Sequence, residues 1–149
     1  MNRDFVEMLS ALLAESVEFL VVGAYALAAH GLPRATGDLD IWVRPTSDNA
    51  DRVLRALRAF GAPLLEFGRE DLLRSDTVFQ IGVAPRRIDL LTGLTGLTFE
   101  EAWPARTTAS VEGLEIPVLG REELLRNKEA TGRPQDLADA AWLRSRGKS

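Results

Sequence analysis

Val21-Val22-Gly23-Ala24-Tyr25-Ala26-Leu27-Ala28-Ala29-His30-Gly31-Leu32-Pro33-Arg34-Ala35-Thr36-Gly37-Asp38-Leu39-Asp40-Ile41-Trp42-Val43 is the stretch that decides the fold. It reads as an apolar strand ending at Gly23, an alanine-rich helix over residues 24–30, a loop over residues 31–37 and a second strand carrying Asp38 and Asp40. Residues two apart on a strand point to the same side, with Cα atoms about 7 Å apart. Asp38, Asp40 and Trp42 therefore share one face, and Leu39, Ile41 and Val43 take the other. Aspartate is disfavoured in strands, and two on one face repel. A positive charge is expected between them, and a divalent metal held by carboxylate oxygens is the economical choice.

Outward from this stretch the chain alternates helix and strand. Phe5, Met8, Leu9, Leu12 and Leu13 recur at helical spacing, which predicts a packing helix over residues 3–15. Residues 17–22 form a short β-rich run. Gly31 suits a helix C-terminus, and Pro33 stops the helix continuing. After the Asp strand, Ser47 or Asp48 can cap a helix whose apolar side is Ala50, Val53, Leu54 and Leu57, ended by Gly61 and Pro63. Arg52, Arg55 and Arg58 lie on its solvated side. Residues 77–83 and 87–91 read as a hairpin around Ala84-Pro85-Arg86, and residues 107–111 and 114–118 as another around Glu112-Gly113. Asp89 lies inside Ile88-Asp89-Leu90-Leu91. An acid in an apolar strand costs desolvation energy unless it is paired or metal-bound, which makes Asp89 the third candidate carboxylate. Residues 122–130 are helical, Gly132 stops that helix, and Pro134 opens a last one. The expectation is an α/β (α+β) architecture, a mixed β-sheet flanked by helices, forming one domain over residues 1–149 with a helical C-terminal extension at about 121–146.

Composition excludes several classes of chemistry. The 149 residues contain no cysteine and one histidine, so disulfides, zinc–thiolate sites and multi-histidine metal sites are out. A net charge of −4 gives no bulk electrostatic case for nucleic-acid binding. No apolar run reaches the roughly 18 residues that a membrane span needs, and the start MNRDFVEML lacks the apolar core of a secretion signal, so a cytoplasmic location is expected.

Two or three carboxylates without His or Cys suit Mg²⁺, with Mn²⁺ as its substitute. The N–H groups at Gly23 and Ala24, where a strand turns into a helix, would suit a phosphate. Rival motifs fail: there is no G-x-x-x-x-G-K-[ST], Gly23 lacks the further glycines of a dinucleotide fingerprint, Trp42 takes the next ligand position of a calcium loop, and no G-x-S-x-G is present. A carboxylate-pair glycosidase would leave the Gly23 turn and the Arg34 loop without a role. Arg34 serves either a phosphate or acceptor, or a nearby acid as an ordinary loop arginine. His30 reads as a helix-end packing or hydrogen-bonding residue, and Trp42 as a base-stacking or packing side chain.

With Val22-Gly23-Ala24, His30-Gly31, Pro33 to Ile41 and Arg87-Ile88-Asp89-Leu90-Leu91 in place, the chain resembles the nucleotidyltransferase superfamily, with its DNA polymerase beta-like fold. It is more closely similar to small bacterial stand-alone members, including those of toxin–antitoxin and abortive-infection systems. Phe99-Glu100-Glu101-Ala102 and residues 128–137 extend the likeness over most of the chain. The resemblance implies Mg²⁺-dependent transfer of a nucleoside monophosphate from an NTP to a hydroxyl acceptor, with release of pyrophosphate. It implies Asp38, Asp40 and Asp89 as metal ligands and catalytic residues, with Asp89 also as general base. It implies Gly23, Ala24, Arg34, Thr36 and Lys128 around the nucleotide phosphates, Thr36 otherwise fixing the loop. Ala24 departs from the usual Gly or Ser: its N–H is kept and a hydroxyl contact is lost. Lys128 and Arg133 could make a phosphate patch, while Arg133, Asp136 and Asp139 could equally form an ion-pair cluster. The acceptor stays open among RNA or tRNA, a protein side chain and a small molecule, and a cognate partner protein would fit the toxin–antitoxin likeness. The alternative is a catalytically weak or inactive nucleotide- or protein-binding module on the same fold.

Overall fold

Alternate apolar residues on short β-rich runs, divided by turn residues, assemble here into one mixed sheet. In the computed structural model, which describes residues 1–33 and 37–146, helix α1 (Arg3–Ala14) precedes strand β1 (Phe19–Val22) and helix α2 (Gly23–Ala29). Strand β2 (Leu39–Val43) leads to helices α3 (Ser47–Phe60) and α4 (Arg69–Leu73). Strands β3 (Val78–Ile81) and β4 (Ile88–Leu91) follow. After them come the short helix α5 (Phe99–Ala102), strands β5 (Thr107–Val111) and β6 (Leu114–Val118), and helices α6 (Arg121–Thr131) and α7 (Pro134–Arg146). The strand order is β3-β4-β2-β1-β6-β5. The β3–β4, β1–β2 and β5–β6 pairs are antiparallel, whereas β2–β4 and β1–β6 are parallel. Both hairpins read from the sequence are present, as is the C-terminal pair of helices, α6 packed on α7. Between α3 and β3 lies the single-turn helix α4, whose Asp71 carboxylate accepts from the Gly68 N–H.

β1 and β2 are the centre of the sheet, and apart from Asp40 their side chains are apolar on both faces. Phe19, Leu20, Leu39, Ile41, Trp42 and Val43 are all fully buried. α1 and α3 pack on each other through Phe5, Met8, Leu9 and Leu12 of one and Ala50, Val53 and Leu57 of the other. Asn49, buried at the start of α3, satisfies its whole amide: Oδ1 accepts from the Glu18 N–H, and Nδ2 donates to the carbonyls of Glu18 and Arg44. Pairing of both amide N–H groups and the oxygen offsets the desolvation of this buried side chain, and it ties the entry of β1 to the exit of β2.

The Asp strand and the hairpin before Asp89 are held together by backbone. Leu39 N–H donates to the Arg87 carbonyl at 2.9 Å. Gly37 lies so close to the 84–86 turn that a Cβ there would overlap the Pro85 carbonyl. Gly37→Ala is therefore expected to force β2 and β4 apart and destabilise the fold by about 2 kcal/mol or more, as overpacking against backbone does. A lowered melting temperature checks this, and an unchanged one would refute it.

Candidate active site

β1 delivers its last residue, Val22, opposite Asp40 of β2, and β2 delivers Asp40 in register with Asp89 of β4. Register on two neighbouring strands thus brings Asp40 and Asp89 side by side, with Asp38 two residues before Asp40 on the same face. Gly23 completes the corner. Its φ of +66° lies in the left-handed region, and a Cβ on it would collide with the Asp40 carboxylate. Both facts favour glycine, so the turn glycine singled out in the sequence serves first to let the backbone pass the Asp40 side chain. Gly23→Ala is expected to cost about 1–3 kcal/mol of stability through backbone strain, and to displace Asp40. Thermal unfolding measures the first effect and loss of cation binding the second.

Burial first, and then the neighbouring Asp89 and Asp38 carboxylates, push Asp40 up to about 6, while the Arg87 guanidinium pulls it back down in part. Crowded carboxylates short of positive charge behave in this way. A positive side chain, Arg87, does stand at this corner, against Asp89 and Asp38 rather than between Asp38 and Asp40. Its Nε donates to Asp89 Oδ1 at 2.7 Å and its Nη2 to Asp89 Oδ2 at 3.1 Å, a bidentate fork. Nη2 also lies 3.4 Å from Asp38 Oδ2, and the Arg87 backbone N–H donates to Asp38 Oδ1 at 3.0 Å. Sequence reading quoted Arg87 without giving it a role. The available signal was spacing: a residue two before Asp89 on a strand shares its face.

The donor set fits a hard divalent cation. Three aspartates at one corner of the sheet offer only oxygen ligands, and Asp40 is left short of compensating charge. Among the described residues, no three acidic or imidazole groups already gather as an ion cage. Asp38 and Asp89 are instead engaged by Arg87.

Beside this corner, Ala24 and Leu27 form one wall of a cleft of about 520 Å³. Lys128, Arg133, Gln135, Asp136 and Asp139 line the rest of it. The structure therefore brings Ala24 and Lys128 to one cleft. Lys128 is also the centre of an ion-pair cluster: its Nζ lies 3.5 Å from Asp136 Oδ1 and 3.4 Å from Asp139 Oδ2. Arg133 donates to Asp136 from Nε at 2.7 Å, and Gln135 donates to Asp139 at 3.1 Å. The Arg133 hydrogen bond, aided by Thr131 and Lys128, holds the Asp136 carboxyl well below the usual carboxylate range. A carboxyl depressed by folding stabilises the protein above its unfolded value, near pH 4, and that contribution is lost as pH falls further. Stability is expected to drop progressively below about pH 4, and Asp136→Asn to flatten that part of the profile. Chemical denaturation between pH 5 and pH 2 checks this, and an unaltered acid limb in the variant would refute it.

Two other sequence expectations resolve toward packing. Trp42 is buried and stands edge-on to Phe99, centroids 5.1 Å apart, so it belongs to the core and is no base-stacking surface. His30 Nε2 lies 2.8 Å from the Leu119 carbonyl and ties the end of α2 to the residue after β6. Arg34 and Thr36 lie outside the described residues. No helix among the described residues is long and apolar enough to cross a membrane.

No described protein family matches the chain by sequence, and no curated protein does. Solved structures do match. A candidate nucleotidyltransferase from Thermotoga maritima superposes with a TM-score of 0.59 at 17% identity, over 96% of this chain and 89% of that one. The lincosamide antibiotic adenylyltransferase LnuA, bound to lincomycin, gives 0.58 at 12% identity over 97% of both chains. The antibiotic-resistance factor ANT(2'')-Ia, in complex with adenylyl-2''-tobramycin, gives 0.51 at 13% identity over 95% of both. With its mixed six-stranded sheet, the chain has the fold of these solved nucleotidyltransferases.

Proposed function

We propose that the protein is a Mg²⁺-dependent nucleotidyltransferase. The observation that carries this reading is the register of β2 and β4, which sets Asp40 beside Asp89 with Asp38 adjacent, next to the Gly23–Ala24 turn. The reaction joins an acceptor hydroxyl oxygen to the α-phosphorus of an NTP. The bond from that phosphorus to the bridging oxygen breaks, pyrophosphate leaves, and the hydroxyl proton passes to a base. Asp38, Asp40 and Asp89 would hold the ion, which when bound supplies charge to balance the phosphates. Asp89 is the proposed base. The N–H groups of Gly23 and Ala24, with Lys128 on the facing wall, would hold the phosphate tail. Arg34 and Thr36, outside the described residues, are proposed as phosphate contacts on the resemblance alone. Catalysis on this arrangement is positioning and electrostatics.

A small molecule is the acceptor class with support from the fold: two of the matched structures bear names of enzymes that act on antibiotics. RNA, tRNA and protein side chains are the other acceptors to assay, and a cognate partner protein and cytoplasmic location belong to the same proposal. The binding-module reading is favoured by one observation, that Lys128 is already engaged by Asp136 and Asp139.

One experiment separates the two. Each α-labelled NTP is incubated with Mg²⁺ or Mn²⁺, the protein and a cell extract, beside an Asp38→Asn/Asp40→Asn variant. Label carried to RNA, protein or a small molecule by the wild type alone supports transfer and identifies the acceptor class. NTP binding without transfer moves the reading to a binding module.

A further inference from the structure

Arg87 touches two of the three carboxylates, and its main chain is tied beside them. Its N–H donates to Asp38, its carbonyl accepts from Leu39 N–H, and the preceding turn abuts Gly37. Only the side-chain torsions are free to move the guanidinium. The Arg87 side chain is 29% exposed and the Asp89 side chain 11%, so the outward path of the guanidinium leads toward solvent. While the fork is closed, both Asp89 oxygens accept from it and Asp38 Oδ2 faces it at 3.4 Å. A dication drawn to the same oxygens meets a like charge already in hydrogen-bond contact with its ligands.

We propose that Arg87 is a built-in counter-cation that competes with the divalent ion for Asp89 and Asp38, so that the ion enters only as the guanidinium swings out. This rests on the reading of the aspartates as the ion's ligands. It gives the arginine two positions: closed on the carboxylates without the ion, and turned outward with it. The aspartates are thereby kept from exposing bare, mutually repelling charge at a sheet corner when no ion is bound. The ion-binding affinity becomes the intrinsic affinity reduced by the fraction of molecules whose fork is open.

Mn²⁺ alone, with no nucleotide, is the probe, and free Mn²⁺ is counted by electron paramagnetic resonance. Arg87→Ala is expected to bind Mn²⁺ about tenfold more tightly than the wild type, the gain when a competitor that is closed about nine-tenths of the time is removed. Arg87→Lys keeps the charge and loses the fork, and is expected to fall between the two. Arg86→Ala removes an equal charge one residue away, from an exposed side chain, and is expected to leave binding unchanged. In chelator, Arg87→Ala is expected to melt lower than the wild type, and added Mg²⁺ to raise its melting temperature by more. Equal or weaker Mn²⁺ binding in Arg87→Ala overturns the competition, as does an equal gain in Arg86→Ala or no gain in Arg87→Lys. Asp40→Asn is run alongside to test the underlying reading. If it binds Mn²⁺ as the wild type does, the aspartates are not the ligands and the site assignment falls. If it loses binding while Arg87→Ala shows no gain, the competition alone falls.

Discussion

Asp40→Asn is expected to lower nucleotidyl transfer by about a hundredfold or more, since one preorganised charged group at a reacting phosphate is worth that much, and to leave the chain folded. The two halves of this expectation have separate causes. Asparagine keeps the shape of aspartate and loses its charge, so the capacity to hold a cation at the corner goes. The fold tolerates the change because Asp40 is a burden in the folded chain without the ion: burial and the carboxylates of Asp89 and Asp38 all disfavour its charged form. Neutralising it removes that cost, so the melting temperature in chelator should be unchanged or raised. Asp38→Asn is expected to lose activity likewise, by losing its charge, and to stay folded, because an asparagine Oδ1 can still accept the Arg87 backbone N–H that Asp38 Oδ1 accepts now. Turnover measured with the labelled NTP, beside a melting curve for each variant, checks both halves. Normal turnover in both variants would sink the assignment of Asp38 and Asp40 to the catalytic site. A collapsed melting temperature would make the aspartates structural.

Much of this corner was legible in the sequence because its signals are local. Asp38 and Asp40 sit at strand spacing, Gly23 ends an apolar run, and Asp89 is an acid inside an apolar strand; each breaks the rule of its surroundings, and such breaks mark sites. The hairpins and the last two helices were legible for the same reason, through turn residues between periodic segments. The pairing of β2 with β4 in parallel was not, because nothing in either strand states its partner. That pairing brings Arg87 to Asp38, whereas its fork on Asp89 lies within one strand, so the reach of the counter-charge across the site stayed hidden although its spacing from Asp89 was visible. Trp42 escaped in the opposite direction. Its strand face is that of the aspartates, but the face passes from the open corner at Asp40 into the core within two residues, where Phe99 meets it. Sequence periodicity gives the face and leaves open where along the strand the solvent stops.

Lys128→Met is the other variant with a large expected effect, and it tests how far the ammonium is a fold element. Lys128 is nearly buried, and it lies between Asp136 and Asp139, both 2% exposed. Removing the cation from a buried pair leaves carboxylates with less compensation than their desolvation demands, a loss of about 3 kcal/mol or more. Methionine keeps the length of the stem and its packing beside Ala24 and Leu27, so the loss reports on charge. Arg133 still holds Asp136 and Gln135 still holds Asp139, which limits the damage to the join between α6 and α7. Chemical denaturation should show a lower midpoint with an unchanged slope, the signature of lost stability without a change in the unfolded chain. A phosphate-binding lysine without a structural role would give the reverse: an unshifted midpoint and a raised KM for NTP. If both change, Lys128 holds the two helices in the free protein and also serves the nucleotide. A double variant, Lys128→Met with Asp136→Asn, tells the contributions apart: restoring the charge balance should recover much of the stability, while a contact to phosphate would stay lost.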